Sequence, residues 1–351
     1  MPFFLFYAIL LKTGTKEEQR AACFDALLFQ LHRKEPPTMS QITDFYFPSS
    51  ASLCPIHARQ WLPDHAPYAG VVQLLHGIAE HIGRYDAFAR FLNRHGYIVV
   101  GNDHLGHGAS VSAPENLGYF ADRDGWMHVS NDTRTLQIMT ERQFPGLPYV
   151  LFGHSMGSFL ARTYLIRFPG TVSAAVLCGT GQMHRAALAA GRAIAAAEAL
   201  RLGRHGRSPL LSTLVFGGYN RAFRPNRTPF DWLSTSEETV DAYLSDPLCG
   251  FDVTTGLFLD LMDGMAFARN EANLAHMDPA TPVYFIAGGL DGVGENGAGV
   301  RRAYLSFRKA GMRHLDIRIY PGMRHEILNE TAQALVYEDV LSWLQQRRDA
   351  Q

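Results

Sequence analysis

The sequence predicts an α/β protein: a mostly parallel central sheet with helices on both faces, interrupted by a helical insertion. Three observations lead there. From Val71 onward, short uninterrupted apolar runs alternate with segments of helical spacing, the pattern of strands buried on both faces. Glycine or proline bounds each run, as turns at strand ends require. Between about 182 and 277 the alternation stops, and helical patterns continue with no convincing strand–helix unit.

Residues 41–47 and 56–61 read as antiparallel edge strands, and 71–75, 97–101, 149–152 and 172–177 as buried strands. Between them, 85–94 sets Phe88, Phe91 and Leu92 on one helical face, and 129–143 does the same with Leu136 and Met139. Strands at 283–287 and 315–320 follow, and a helix over 331–346 closes the chain. The 351 residues then divide into an extension (1–38), a core (39–181 and 278–351) and a cap insertion (182–277). An insertion after a strand of such a sheet covers the carboxyl-edge crevice where ligands bind.

Composition narrows the function. With 32 Lys+Arg against 33 Asp+Glu and a formal charge of −1, a nucleic-acid protein is excluded, because phosphate backbones demand clustered cations. An apolar fraction of 47% excludes disorder. Cys23, Cys54, Cys178 and Cys249 lie far apart with no C-x-x-C pair, which points to reduced thiols in a cytoplasmic protein. No apolar run reaches the roughly 20 residues of a membrane span. The apolar start, 1–11, lacks the basic region and cleavage site of a signal peptide. Met39, just after a Glu-Pro-Pro linker, reads as the true start of translation. The Ala-rich stretch 186–207 carries Arg192, Arg201, Arg204 and Arg207; it has the character of a basic helix making peripheral membrane contact through the cap, or of a solvated cap face.

The chemistry centres on Gly153-His154-Ser155-Met156-Gly157. A bare G-x-S-x-G is a weak signal, but here an apolar strand leads into it and helical spacing follows. A strand–turn–helix with two glycines is what exposes a serine hydroxyl above a sheet. That hydroxyl needs a base, and the base needs an acid to fix its tautomer. Asp291 ends the strand at 283–287, and His325 follows the strand at 315–320. Asp260, Asp263, Asp278 and Glu295 are rival acids, and His314 and His276 rival bases; all but Glu295 lack a strand leading to the site. Backbone N–H donors for the oxyanion come from Met156 and from Ile78 in the loop His76-Gly77-Ile78-Ala79-Glu80-His81. His76 and His81 read as braces of that loop. With Asp103, His104 and His107 they match no firm metal-ligand spacing, so neither metal nor cofactor is implied.

The loops His76–His81 with Arg84-Tyr85, Asp103-His-Leu-Gly-His-Gly108, Gly153–Gly157, Asp246-Pro-Leu-Cys-Gly-Phe251 and Tyr320-Pro-Gly-Met-Arg-His-Glu-Ile-Leu-Asn-Glu330 together resemble the monoacylglycerol lipase and bacterial lysophospholipase branch of the α/β-hydrolases, over most of residues 41–347. The resemblance implies an α/β-hydrolase fold, Ser155 as nucleophile, Asp291 and His325 completing a triad, and Ile78 and Met156 as oxyanion donors, with Gly153, Gly157, His76 and Gly77 supporting them. Gly292 departs from the proline the family usually carries after the acid, which loosens the acid's loop. The function that follows is hydrolysis of the ester of a single-acyl lipid, with the apolar segments 210–216 and 257–267 lining the acyl site. An aminopeptidase-type hydrolase and a non-catalytic ligand-binding homologue are the alternatives. The sequence sets no oligomeric state.

Overall fold

The computed structural model describes residues 41–348; the extension 1–38, Met39 and Cys23 lie outside the described residues. The strands are β1 (Ile42–Pro48), β2 (Pro55–Trp61), β3 (Gly70–Leu75), β4 (Tyr97–Asn102), β5 (Tyr149–His154), β6 (Ala174–Cys178), β7 (Val283–Gly288) and β8 (Leu315–Tyr320). They form one eight-stranded sheet in the order β1-β2-β4-β3-β5-β6-β7-β8. β1 and β2 pair antiparallel, as does β2 with β4, and the remaining pairs are parallel.

Every residue of β3, β4, β5, β6 and β7 is buried, which is why their sequences are continuous apolar runs rather than alternating ones. The pleat divides those side chains between two cores. Val71, Leu75 and Leu151 face α2 (Gly125–Gln143), α3 (Met156–Arg167) and α9 (Ala298–Lys309). Val72, Leu74, Val150 and Phe152 face α1 (Asp86–Arg94) and α10 (Gln333–Arg348).

Register brings the chemistry to one edge. Leu75 is level with Gly153, His154 with Cys178, and Gly288 with Tyr320. The loops after β3, β5, β7 and β8 therefore emerge side by side. β3 lies between β4 and β5, so the chain order reverses there and a crevice opens between the β3 and β5 loops.

Between β6 and β7 the described chain forms α4 (Arg185–Leu202), α5 (Pro209–Phe216), α6 (Glu237–Ser245), α7 (Thr255–Arg269) and the short α8 (Glu271–Leu274). The apolar segment expected at 257–267 lies in α7, where Leu257, Phe258, Leu261 and Met262 are buried in packing on α2, α3 and α4. It is therefore a structural seam and not a ligand wall. The contact is close because of Gly264: a Cβ there would fall 2.1 Å from Cε2 of Trp126. Trp126 cannot yield easily, since its Nε1–H donates to Thr163 Oγ1 at 2.9 Å.

Gly264→Ala is accordingly expected to destabilise the protein by about 1–3 kcal/mol through overpacking, read as a lower urea midpoint with an unchanged slope. A midpoint equal to that of the parent protein would show that α7 and α2 can separate at no cost.

Candidate active site

β5 runs two residues beyond the apolar run 149–152, through Gly153 to His154, and Ser155 turns the chain into α3. Ser155 has φ 52° and ψ −119°, a left-handed backbone conformation that a non-glycine residue adopts only at a cost of about 1–3 kcal/mol. The flanking glycines are dictated by contact. A Cβ on Gly153 would lie 2.3 Å from the Gly157 carbonyl oxygen, and one on Gly157 only 2.1 Å from that of Leu75. Gly77 also brings the β3 loop against the serine, less tightly: its Cβ would meet Glu80 Oε1 at 2.6 Å and Ser155 Cβ at 3.2 Å.

His325 and Asp291 come from the ends of β8 and β7, and both are buried. The ring Nδ1–H of His325 donates to Asp291 Oδ1 at 2.9 Å, leaving Nε2 as the basic nitrogen. Burial pushes the His325 pKa down, but the charge and hydrogen bond of Asp291 outweigh it and the net shift is upward. Asp291 Oδ1 also accepts from the Val293 N–H at 2.8 Å. Gly292 does not leave this loop slack: a Cβ there would fall 2.8 Å from Tyr219 Cδ1, so a ring from the insertion fills the space beside the acid. Ser155, His325, Gly77 and Ile78 line one cavity of about 470 Å³, whose apolar wall includes Phe216, Trp232, Leu233 and Phe251. α5 thus contributes to the cavity, whereas the 257–267 segment does not.

The β3 loop is aimed by His76. Its Nδ1 lies 2.7 Å from the Gly77 carbonyl oxygen, and its Nε2 accepts the His104 N–H at 2.8 Å. These partners define a neutral ring protonated at Nδ1; burial, reinforced by His107, lowers its pKa to about 3. In a trans peptide the C=O and the next N–H point oppositely. Pinning the Gly77 carbonyl therefore turns the Ile78 N–H the other way, on the residue that lines the cavity. Met156 is the first residue of α3, where an N–H has no partner within the helix.

Sequence reasoning missed the ionic core behind these loops. Arg84 donates to Glu80 Oε2 at 2.7 Å and, with both terminal nitrogens, to Glu326 at 2.7 Å. Glu80 in turn accepts the Gly77 N–H and, at 2.9 Å, the Tyr85 hydroxyl, while Glu326 is the neighbour of His325. One guanidinium thus ties the β3 loop to the histidine loop across 242 positions of sequence. The insertion holds the histidine loop as well: the Glu326 N–H donates to the Leu233 carbonyl at 2.7 Å, and the Trp232 ring lies 5.1 Å from that of His325. The only foreshadowing was that Arg84 and Glu326 fall inside the quoted motifs.

The rival residues have other partners. Asp260 pairs with Arg204 at 2.9 Å, Asp263 with Arg192, and Glu295 with Arg302. Asp278 caps a turn at Ala280, and His276 bonds the Ala272 carbonyl. His314 is exposed at the opposite sheet edge. Asp103 bonds His57 and the N–H groups of Ile82 and Ala109, each at 2.8 Å, and so orders its loop. His81 links the β3 loop to the insertion, donating from Nε2 to Asp246 at 2.9 Å and accepting the Gly83 N–H at Nδ1. With Cys249 nearby these residues form a group of metal-ligand type. Both His81 nitrogens are in use, however, and burial pushes the Cys249 thiol pKa up, so the donor set does not suit a cation.

A family described as serine aminopeptidase, S33, matches residues 66–332. The chain belongs to this family of hydrolases. A monoacylglycerol lipase of Mycolicibacterium smegmatis is 30% identical over 288 residues, covering 81% of this hydrolase and 90% of that lipase. The human monoglyceride lipase is 27% identical, covering 83% and 87%. Among solved structures, a thermostable carboxyl esterase from Bacillus coagulans in complex with glycerol superposes with a TM-score of 0.81 at 28% identity, covering 89% of this hydrolase and all of the esterase. The fold is that of the α/β-hydrolases.

Replacing Arg84 by Met leaves two buried carboxylates without their cation, for which an expected loss is about 3–5 kcal/mol. Burial raises the Glu80 pKa, and Arg84 overcomes this and holds it low. The stability this supplies is present above the unfolded carboxylate value of about 4.3 and disappears as pH falls further. Urea titrations should therefore show the widest gap between parent and variant near neutral pH, closing towards pH 4 and below; a pH-independent gap would contradict the ionic account.

Proposed function

We propose that this hydrolase cleaves the carboxylic ester of a single-acyl lipid, a monoacylglycerol or a lysophospholipid, through an acyl-enzyme on Ser155. The observation that carries the proposal is a serine in left-handed backbone conformation sharing a cavity with the buried His325–Asp291 pair. In this reading His325 Nε2 takes the serine proton as Ser155 attacks the carbonyl, then passes it to the departing alcohol. Asp291 fixes the tautomer and offsets the charge on the imidazolium. The N–H groups of Ile78 and Met156 receive the oxyanion, and the apolar wall at Phe216, Trp232 and Phe251 takes the acyl chain. No cofactor enters these steps. The names of the lipase relatives support the substrate class.

Residues 182–277 serve in this proposal as the cap over the site. Peripheral membrane contact belongs to it too, but through leucines. Arg201 and Arg204 lie against Glu198 and Asp260 at 2.7 and 2.9 Å, Arg192 is paired with Asp263, and Arg207 reaches the Leu117 carbonyl at 3.0 Å. Leu200 is 91% exposed, and Leu210 and Leu214 on α5 are exposed as well. No described helix is long and apolar enough to cross a membrane. A cytoplasmic location is supported by the free thiols Cys54, Cys178 and Cys249. The aminopeptidase reading finds little support in the cavity: of its described lining carboxylates, Glu80 and Glu326 are bonded to Arg84, which leaves the exposed Asp252 and no carboxylate cluster for a substrate ammonium.

Ser155→Ala should lower kcat on a monoacylglycerol by about 10⁴–10⁶ with an unchanged circular dichroism spectrum. It should also abolish labelling by a fluorophosphonate. An unlabelled parent protein would favour the non-catalytic binder instead. A Leu200→Glu/Leu210→Glu/Leu214→Glu variant should cease to sediment with phospholipid vesicles, whereas Arg192→Gln should sediment as before; indifference to the leucine changes would end the membrane proposal.

A further inference from the structure

The described part of residues 182–277 is rich in arginine and contains no lysine, and most of its arginines are assigned to partners within the protein. Arg192, Arg201, Arg204 and Arg227 each meet a carboxylate: Asp263, Glu198, Asp260 and Asp241. Arg221 and Arg224 are different. Among the described residues neither forms a salt bridge with a carboxylate, both are exposed, and both line the cavity that contains Ser155 and His325. They stand on consecutive turns of the segment around the short helix Tyr219–Phe223, next to the amides of Asn220 and Asn226, which line the same cavity.

The carboxylates of that cavity are unevenly arranged. Glu80 and Glu326 belong to its buried inner wall and are bound to Arg84. Asp252 lines the same cavity and is exposed like the two arginines, so the exposed lining charges sum to one uncompensated cation. The mouth is consequently cationic and the inner wall anionic. A neutral glycerol head gains nothing from such a mouth. A phosphate does, because two guanidinium forks present paired N–H donors to its oxygens and their charge is expressed at the edge of a low-dielectric cavity.

Resting on the serine ester-hydrolase reading above, we propose that Arg221 and Arg224 select an anionic head group, so that the favoured substrate is a single-chain acyl ester whose alcohol carries a phosphate. Such a substrate places its acyl chain against the apolar wall and its ester at Ser155, and leaves its phosphate at the mouth. The arginines act on binding and specificity and take no part in the bond-breaking step.

The test compares three soluble esters with the same hexanoyl chain: hexanoylglycerol, hexanoylglycerol phosphate and hexanoylglycerophosphocholine, all kept monomeric. The expected kcat/KM for the phosphate ester exceeds that for the neutral ester by about tenfold at low ionic strength, carried in KM, and the advantage shrinks as salt is added. In Arg221→Glu/Arg224→Glu the ratio inverts, and in Arg221→Lys/Arg224→Lys it is largely kept. Arg308→Glu/Arg313→Glu, two exposed sites ahead of β8 that carry the same change of four charges, controls for net charge and should keep the parent ratio. Equal kcat/KM for the three esters, or a ratio unmoved by the charge reversal, overturns the proposal while leaving ester hydrolysis standing. A phosphate preference seen only on anionic vesicles, and absent with monomers, also overturns it by assigning the arginines to surface attraction. Failure to hydrolyse any of the three esters would remove both this proposal and the reading beneath it.

Discussion

The site depends on one backbone constraint: β5 must end in a turn tight enough to lift Ser155 off the sheet, which forces the serine into a left-handed conformation. Such a conformation persists only where its surroundings over-determine it. Here α3 supplies the restraint, since every residue from Met156 to Ile166 is buried. A helix enclosed on all sides cannot tilt to relax the turn. The enclosure is itself made by absent side chains: Gly157 lets α3 sit against the end of β3, Gly153 lets the strand pass under the helix start, and Gly77 lets the neighbouring loop close over the serine.

In the proposed mechanism a fixed serine is useful only if the base and the oxyanion donors are fixed relative to it, and these arrive on loops from different strands. The geometry assigns that coordination to Arg84, whose two carboxylate partners belong to the β3 loop and the histidine loop. The charge balance matters as much as the geometry. One guanidinium between two carboxylates leaves net negative charge behind His325, and Glu326 and Glu80 both add to Asp291 in favouring protonation of that imidazole. In the proposed mechanism an imidazolium developing at His325 is therefore stabilised by more than its direct partner. His154 lies between these groups, its ring 4.8 Å from that of His325. Burial and the nearby His325 bring its pKa down to about 4, so at neutral pH it fills space without competing for the charge.

What could be read in the sequence follows from how local each cause was. Strands buried on both faces betray themselves as apolar runs, and β3, β4, β5 and β7 were legible for that reason, as was the Ser155 turn between a strand and a helix. The strand expected from Val172 begins at Ala174 because the turn after α3 extends through Ser173. α9 went unread because its lead-in, Gly292 to Gly299, is rich in glycine and masks the helical period of the residues that follow. Pairings between distant segments left no local trace at all. The arginines of α4 and the loop after it looked like a membrane-facing stripe because Asp260 and Asp263, which bind two of them, sit on another helix. The same blindness hid the joining of Arg84 to Glu326, and the seat that Gly292 provides for Tyr219.

The histidines around the β3 loop show why identity alone does not reveal a role. His76, His104 and His107 are buried together, with the rings of His76 and His104 4.1 Å apart. Three imidazoles so close cannot share positive charge in a medium without water, and burial lowers the pKa of each. Neutrality is what makes His76 useful, because only a neutral ring can donate at Nδ1 and accept at Nε2 at once. The donor side turns the Gly77–Ile78 peptide, and the acceptor side anchors that turn to the β4 loop through the His104 N–H. A protonated ring would lose the acceptor, and a side chain with one polar atom would lose one connection. The residue type is therefore set by the need for a donor and an acceptor at opposite ends of a rigid plane, a requirement of position that has nothing to do with acid–base chemistry.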